Sequence, residues 1–309
     1  MDAAMRGRII LLAAGLGLLA AAAHAQPAEP SHILSDIVAQ YESASQIWIE
    51  QSAGITRTLF GTLVALELAV TLVAALLGYI GGSAGVGKLS RALLQKIAVI
   101  GLFWAFITSF PLWIPKIILS FDQAGATLSA TTGLQPSTIL DRGILLTAIL
   151  LYVMQQLGLW SSLAAIPSAI LVYLSCLGVV VCFALIAARL VEALVKSYLV
   201  MAGAVFFLGF APFRLTAPLA ENYLITCVRI GVQIFVQYLL VAVGETITGG
   251  WIVSVMSYTP DQGFRLPLTI LGGSIVYAWL VIKVPSELAY SLTAPTGFLR
   301  LREALTADV

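Results

Sequence analysis

Residues 58 to 90 read TLFGTLVALELAVTLVAALLGYIGGSAGVGKLS, and two incompatible readings compete for them. The last ten residues come close to a nucleotide-binding loop. Gly82, Gly87 and Lys88 fit the frame of glycine, four spacers, glycine and lysine, in which backbone amides wrap the phosphates and the lysine neutralises them. Leu89, however, stands where a hydroxyl must hold magnesium, and such a loop works only after a buried β-strand in a soluble sheet domain. What precedes it is Thr58 to Ile80, apolar except for Glu67. As a helix that segment measures about 35 Å, enough to cross a hydrocarbon core of about 30 Å. The stretch is therefore a membrane span followed by a tight glycine turn. Lys88, Arg91 and Lys96 come next without one acid, the mark of a cytoplasmic loop.

Composition extends the membrane reading to the whole chain. Of 309 residues 60% are hydrophobic and only 10% charged, against about 25% charged in soluble domains. The net charge of +1 excludes a broad cationic surface for nucleic acid. Cys176, Cys182 and Cys227 all fall in apolar runs without a CxxC pair, so they read as small packing residues. No HExxH or GxSxG pattern occurs, and His32 is the only histidine beyond residues 1–25. With no nucleophile, base or metal set in view, the expectation is a protein that is not an enzyme and holds no cofactor or metal.

Outward from the first span, the pattern predicts an all-α, polytopic helical membrane protein. Arg6 and Arg8 precede an apolar run, Ile9 to Ala23, and Ala23-His24-Ala25 supplies the small residues a signal peptidase requires, so residues 1–25 read as a signal peptide of an exported bacterial protein. Residues 26–57 follow as a periplasmic stretch, in which Ile33, Ile37, Tyr41, Ile47 and Trp48 recur at helical spacing among Asp36, Glu42 and Glu50. The apolar face of that amphipathic helix is expected to meet protein, because its acidic charge disfavours anionic headgroups.

Within a transmembrane domain of residues 58–284, further spans are expected at Ile97–Ile118, interrupted by Pro111 and Pro115, and at Pro167–Ala188, Asn222–Val243 and Leu266–Val284. Residues 143–164, broken by Gln155, Gln156 and Gly158, are left outside. Ser197–Pro212 is short and glycine-rich, which favours a re-entrant hairpin. This arrangement crosses five times, begins outside and ends in a cytoplasmic tail, residues 285–309. Lys88, Arg91, Lys96, Arg189, Lys196, Arg214, Lys283, Arg300 and Arg302 then face the cytoplasm, against Arg57, Lys116, Arg142 and Arg265 outside. Counting both ambiguous segments as full crossings gives seven and moves Arg189 and Lys196 outside.

Two ionisable groups lie inside predicted spans, Glu67 and Arg229. Each costs at least about 2.5 kcal/mol to insert, which predicts partners and suggests a pair between the two. Arg229, Gln233 and Gln237 stand at four-residue steps and give one helix a polar face. A lining for a conduit and a packing seam between helices both account for these four residues.

The order of the pieces is itself distinctive: TLFGTLVALELAVT, then LQPSTILDRGILL, then VEALVKSYLVMAGAVFFLGFAPFRLTAPLAENYLI and GVQIFVQYLLVAVGETI. It resembles the TrbL family of conjugal transfer proteins, over roughly residues 31 to 290. The most specific block carries Gly203, Phe206, Phe207, Gly209, Phe210 and Arg214 ahead of Asn222-Tyr223, and a second carries Pro136-Ser137, Leu140-Asp141 and Gly143. The resemblance implies a polytopic inner-membrane subunit of a type IV secretion system. It implies a homo-oligomer that contacts a periplasmic stalk subunit and cytoplasmic ATPases, with DNA or protein passing by. It supplies no catalytic residues. A stand-alone small-solute transporter or channel is the alternative class for a chain of this composition.

Overall fold

The computed structural model describes residues 32–80, 86–129, 135–156, 166–258 and 264–293. The expected signal peptide and most of the expected tail lie outside them. Every regular element among the described residues is an α-helix: α1 Ile33–Ile80, α2 Val86–Ser129, α3 Pro136–Gln156, α4 Ile166–Leu208, α5 Ala217–Met256 and α6 Arg265–Leu292. The sequence sets their ends. Pro136, Pro167, Pro218 and Pro267 each fall in a first turn, where a missing N–H costs nothing. Gly81 and Gly82 follow α1, and Gly209 follows α4.

Five of these helices are long and apolar enough to cross a membrane: α1, α3, α4, α5 and α6. The all-helical, multi-pass expectation holds, but four of its details change. The amphipathic stretch and the first span are one uninterrupted helix of 48 residues, about 72 Å long. Residues 143–164 were expected outside the bilayer, yet Pro136–Val153 qualifies as a span by length and hydropathy. Helix α2 covers the residues of the expected span Ile97–Ile118 and runs without a break through Pro111 and Pro115, but it is not among the five, and Leu94–Ala105 is its shorter apolar stretch.

The fourth change is the largest. Ser197–Leu208 is no re-entrant hairpin; it is the last third of α4, a single helix of 43 residues. The expectation broke the helix at Arg189, Glu192 and Lys196, reading charge as a span end. Instead Lys196 donates to Glu192 one turn away at 2.6 Å, a pairing that supports a helix surface, and α4 continues. The chain reverses only at Gly209–Thr216, where three successive N–H groups, of Gly209, Phe210 and Ala211, donate to carbonyls three residues back.

The chain packs as two compact units. Unit one comprises α3, the first part of α4 to Leu190, the end of α5 from Leu240 and α6 to Ile282. Close approach builds its core: a Cβ on Gly143 would lie 2.5 Å from Cβ of Phe183, and the Phe183 ring meets Tyr277 edge-on at 6.3 Å. Four of its buried hydroxyls are satisfied inside their own helices, while that of Ser137 accepts from the Ser35 N–H at 3.1 Å. Thr147, Ser175, Thr248 and Ser274 each donate to the carbonyl four residues back, which lets them sit among apolar groups without an orphaned donor.

Unit two comprises α1 from Asp36, α2, the end of α4, the first part of α5 to Leu239 and the end of α6. Its core gathers Phe60, Ile118, Met201, Leu208, Cys227, Ile234 and Tyr238. Within it, the Tyr198 hydroxyl lies beside the Glu42 carboxylate, while Gly209 rests against Thr56 and Leu59. Residues 198–209 therefore run alongside residues 42–59. A topology with the first stretch inside and the second outside does not describe this packing.

Candidate functional site

The block that carries most of the family-like signature builds the corner between α4 and α5. Phe206 lies edge-on to Phe207 and Phe210, with ring centroids at 5.7 and 5.4 Å. Phe207 stacks on Tyr223 at 4.5 Å, and the Tyr223 hydroxyl donates to the Val200 carbonyl at 2.8 Å. Gly203 makes this possible, since a Cβ there would stand 2.5 Å from the Tyr223 oxygen. Thr216 closes the turn by donating its hydroxyl to the Phe210 carbonyl at 2.7 Å. The residues taken for a membrane dip thus form a rigid helix–turn–helix corner.

Glu67 reaches this corner from the C-terminal half of α1. It is 3% exposed and forms an ion pair with Lys96 of α2. Its other carboxylate oxygen accepts from the backbone N–H of Arg214 at a long 3.4 Å. Lys96 also donates to the Thr71 hydroxyl, one turn along α1, which in turn donates to the Glu67 carbonyl. A carboxylate removed from water demands such compensation. The result ties α1, α2 and the α4–α5 turn together at one point.

The expected pair of Glu67 with Arg229 does not form. Arg229 instead donates Nε to the Thr293 hydroxyl at 2.8 Å and lies over the Tyr290 ring at 5.2 Å, a cation–π contact that replaces a counter-ion. Each charge has its partner, but not the one predicted. The polar face of α5 turns inward as it climbs. Gln233 is half-buried, and Gln237 is 2% exposed with its amide oxygen unpaired among the described residues.

Sequence reasoning missed Lys96, counted as a loop charge, and the Arg142–Glu245 pair of unit one at 3.0 Å. A signal for the first was available. In consecutive helices that pack antiparallel, residues equidistant from the gap between them lie level, and both Glu67 with Lys96 and Phe60 with Trp104 obey that rule about the gap between α1 and α2. For Arg142 and Glu245 the connection is too long for any such count. Of the near-nucleotide loop, residues 81–85 lie outside the described residues, and α1, not a strand, precedes it. Among the described residues, no group of His, Cys, Asp and Glu could hold a metal ion.

Long apolar helices, buried charges satisfied between helices and hydroxyls returned to their own backbones define a multi-pass helical membrane protein. Sequence comparison narrows the class. Residues 70–284 match the family described as TrbL/VirB6 plasmid conjugal transfer protein, and the chain belongs to that family. It is 26% identical over 277 residues to a probable conjugal transfer protein TrbL of Sinorhizobium fredii, covering 89% of this chain and 67% of the relative.

Proposed function

We propose that the protein is an inner-membrane channel or assembly subunit of a type IV secretion apparatus, supporting the passage of DNA or protein across the envelope. The family match over residues 70–284 carries this reading. In it the chain acts without catalysis, as a homo-oligomer among lipid, a periplasmic stalk subunit and cytoplasmic ATPases. The exposed N-terminal half of α1 lies on the periplasmic side after removal of residues 1–25. A clean deletion in the native host abolishes conjugal transfer and leaves growth on individual solutes unchanged. Normal transfer in the deletion strain overturns the proposal, as does saturable solute uptake by the purified chain in liposomes.

The packing within unit two sharpens the sidedness. Single cysteines at Gln46 and Leu199, both exposed, become labelled by an impermeant maleimide from the same side of the membrane. Labelling from opposite sides contradicts the contact of residues 198–209 with residues 42–59.

A further inference from the structure

The amphipathic stretch at the start of α1 packs the opposite way from its pattern. Val38, Ser45 and Thr56 are buried and Ile49 and Ala53 pack half-buried against the core, so the inward face mixes small and hydroxylated residues with Val38 and Ile49. The bulky apolar residues point out: Ile33, Ile37, Tyr41, Ile47, Trp48 and Ile55 are all exposed, Ile33 and Ile55 by 69% and 63%. At 3.6 residues per turn these six share a sector of about 120°, centred about 100° round from the buried face. The flank beyond that sector carries Asp36 and Glu50, both exposed.

Three coverings are open to such a stripe, and charge decides among them. Residues 33–57 hold Asp36, Glu42 and Glu50 against Arg57 alone, three negative charges and one positive, hence a local charge of −2. Hydrocarbon is excluded by four charges in one segment, and an anionic headgroup surface is repelled by the net negative charge. A second copy brings a further −2 to the same place, which disfavours self-association along this face. A protein with an apolar groove rimmed by lysine or arginine meets both the stripe and its acidic flank.

We infer that the outward face of α1 from Ile33 to Ile55 docks such a basic-rimmed groove of another component of the transfer apparatus. The inference deepens the proposed function and rests on it. The test uses the full chain in its own membrane, with a photoreactive phenylalanine analogue at Tyr41 or at Trp48. In cells carrying all the transfer genes, each position gives an adduct with one other transfer protein, whose crosslinked peptide sets Lys or Arg beside apolar residues. The adduct is missing when this chain is expressed alone. The double variant Asp36→Lys and Glu50→Lys lowers its yield about tenfold, and reversing the mapped basic residues to Glu in the partner restores it.

An adduct between two copies of this chain overturns the inference, as does a yield indifferent to the charge reversal. So does an absence of protein adducts with crosslinking to lipid in vesicles of phosphatidylethanolamine and phosphatidylglycerol at a 3:1 ratio, by about the usual bacterial proportions. The deletion strain separates the two levels. Transfer lost on deletion without the adduct refutes the docking face alone, whereas transfer retained on deletion refutes the function.

Discussion

Glu67 and Glu245 are both carboxylates on long apolar helices, and the two units treat them differently. In unit two Glu67 is 3% exposed and is held by Lys96, with the Arg214 N–H on its second oxygen. In unit one Glu245 meets Arg142 at 3.0 Å with side chains 32% and 42% exposed. The first pair is compensated because it has to be; the second is optional. Removing one partner of a buried pair strands a charge and costs about 3–5 kcal/mol, whereas an exposed pair contributes at most about 1 kcal/mol. The same chemistry therefore marks a structural pin in one region and a modest contact in the other.

The comparison breaks most readily at Lys96. Lys96→Met lowers the stability of the detergent-solubilised protein by about 3 kcal/mol, read as a fall in its thermal unfolding midpoint. The double variant Glu67→Gln, Lys96→Met recovers part of that loss, since no charge is then stranded. If the double falls as far as the single, burial is not what makes the pin.

Next to the exposed pair stands a position where packing, not charge, is decisive. Gly143→Ala drives a methyl group onto Phe183 and costs about 1–3 kcal/mol by overpacking. Its neighbour behaves oppositely: Arg142→Ala shifts the midpoint by less than about 1 kcal/mol equivalent, and what effect it has fades as salt is raised. A larger, salt-independent loss at Arg142 would place Glu245 in the same class as Glu67.

The smallest effect is expected at Lys88, at the start of the helix that carries Lys96. Lys88→Ala leaves conjugal transfer at the wild-type level, because no nucleotide is held there. Photolabelling of this chain by azido-ATP, lost in the variant, would show otherwise.

Much of the fold was legible because lipid is a severe solvent. A chain with so few charges and such long apolar runs must hydrogen-bond its backbone within helices. Glu67 announced itself as a charge in an apolar run. Its partner did not, because insertion energy requires some counter-charge without saying which helix supplies it. The apolar stripe of residues 33–55 was visible as a periodicity, but the pattern gives a face and not its direction. The break placed before Ser197 failed for a further reason: a Glu192–Lys196 pair one turn apart makes charge compatible with a continuing helix.

By itself, the sequence determined the solvent, the helical class and the family, since each follows from local composition and the order of motifs. Only the tertiary structure decided that the Arg214 N–H backs the Glu67–Lys96 pair, that Thr293 and Tyr290 answer Arg229, and that α4 runs unbroken to Leu208. Those outcomes depend on which helix surfaces come within about 3 Å of each other, the range over which hydrogen bonds and ion pairs form. Distances of that kind are set by packing across long chain separations, which residue periodicity does not encode.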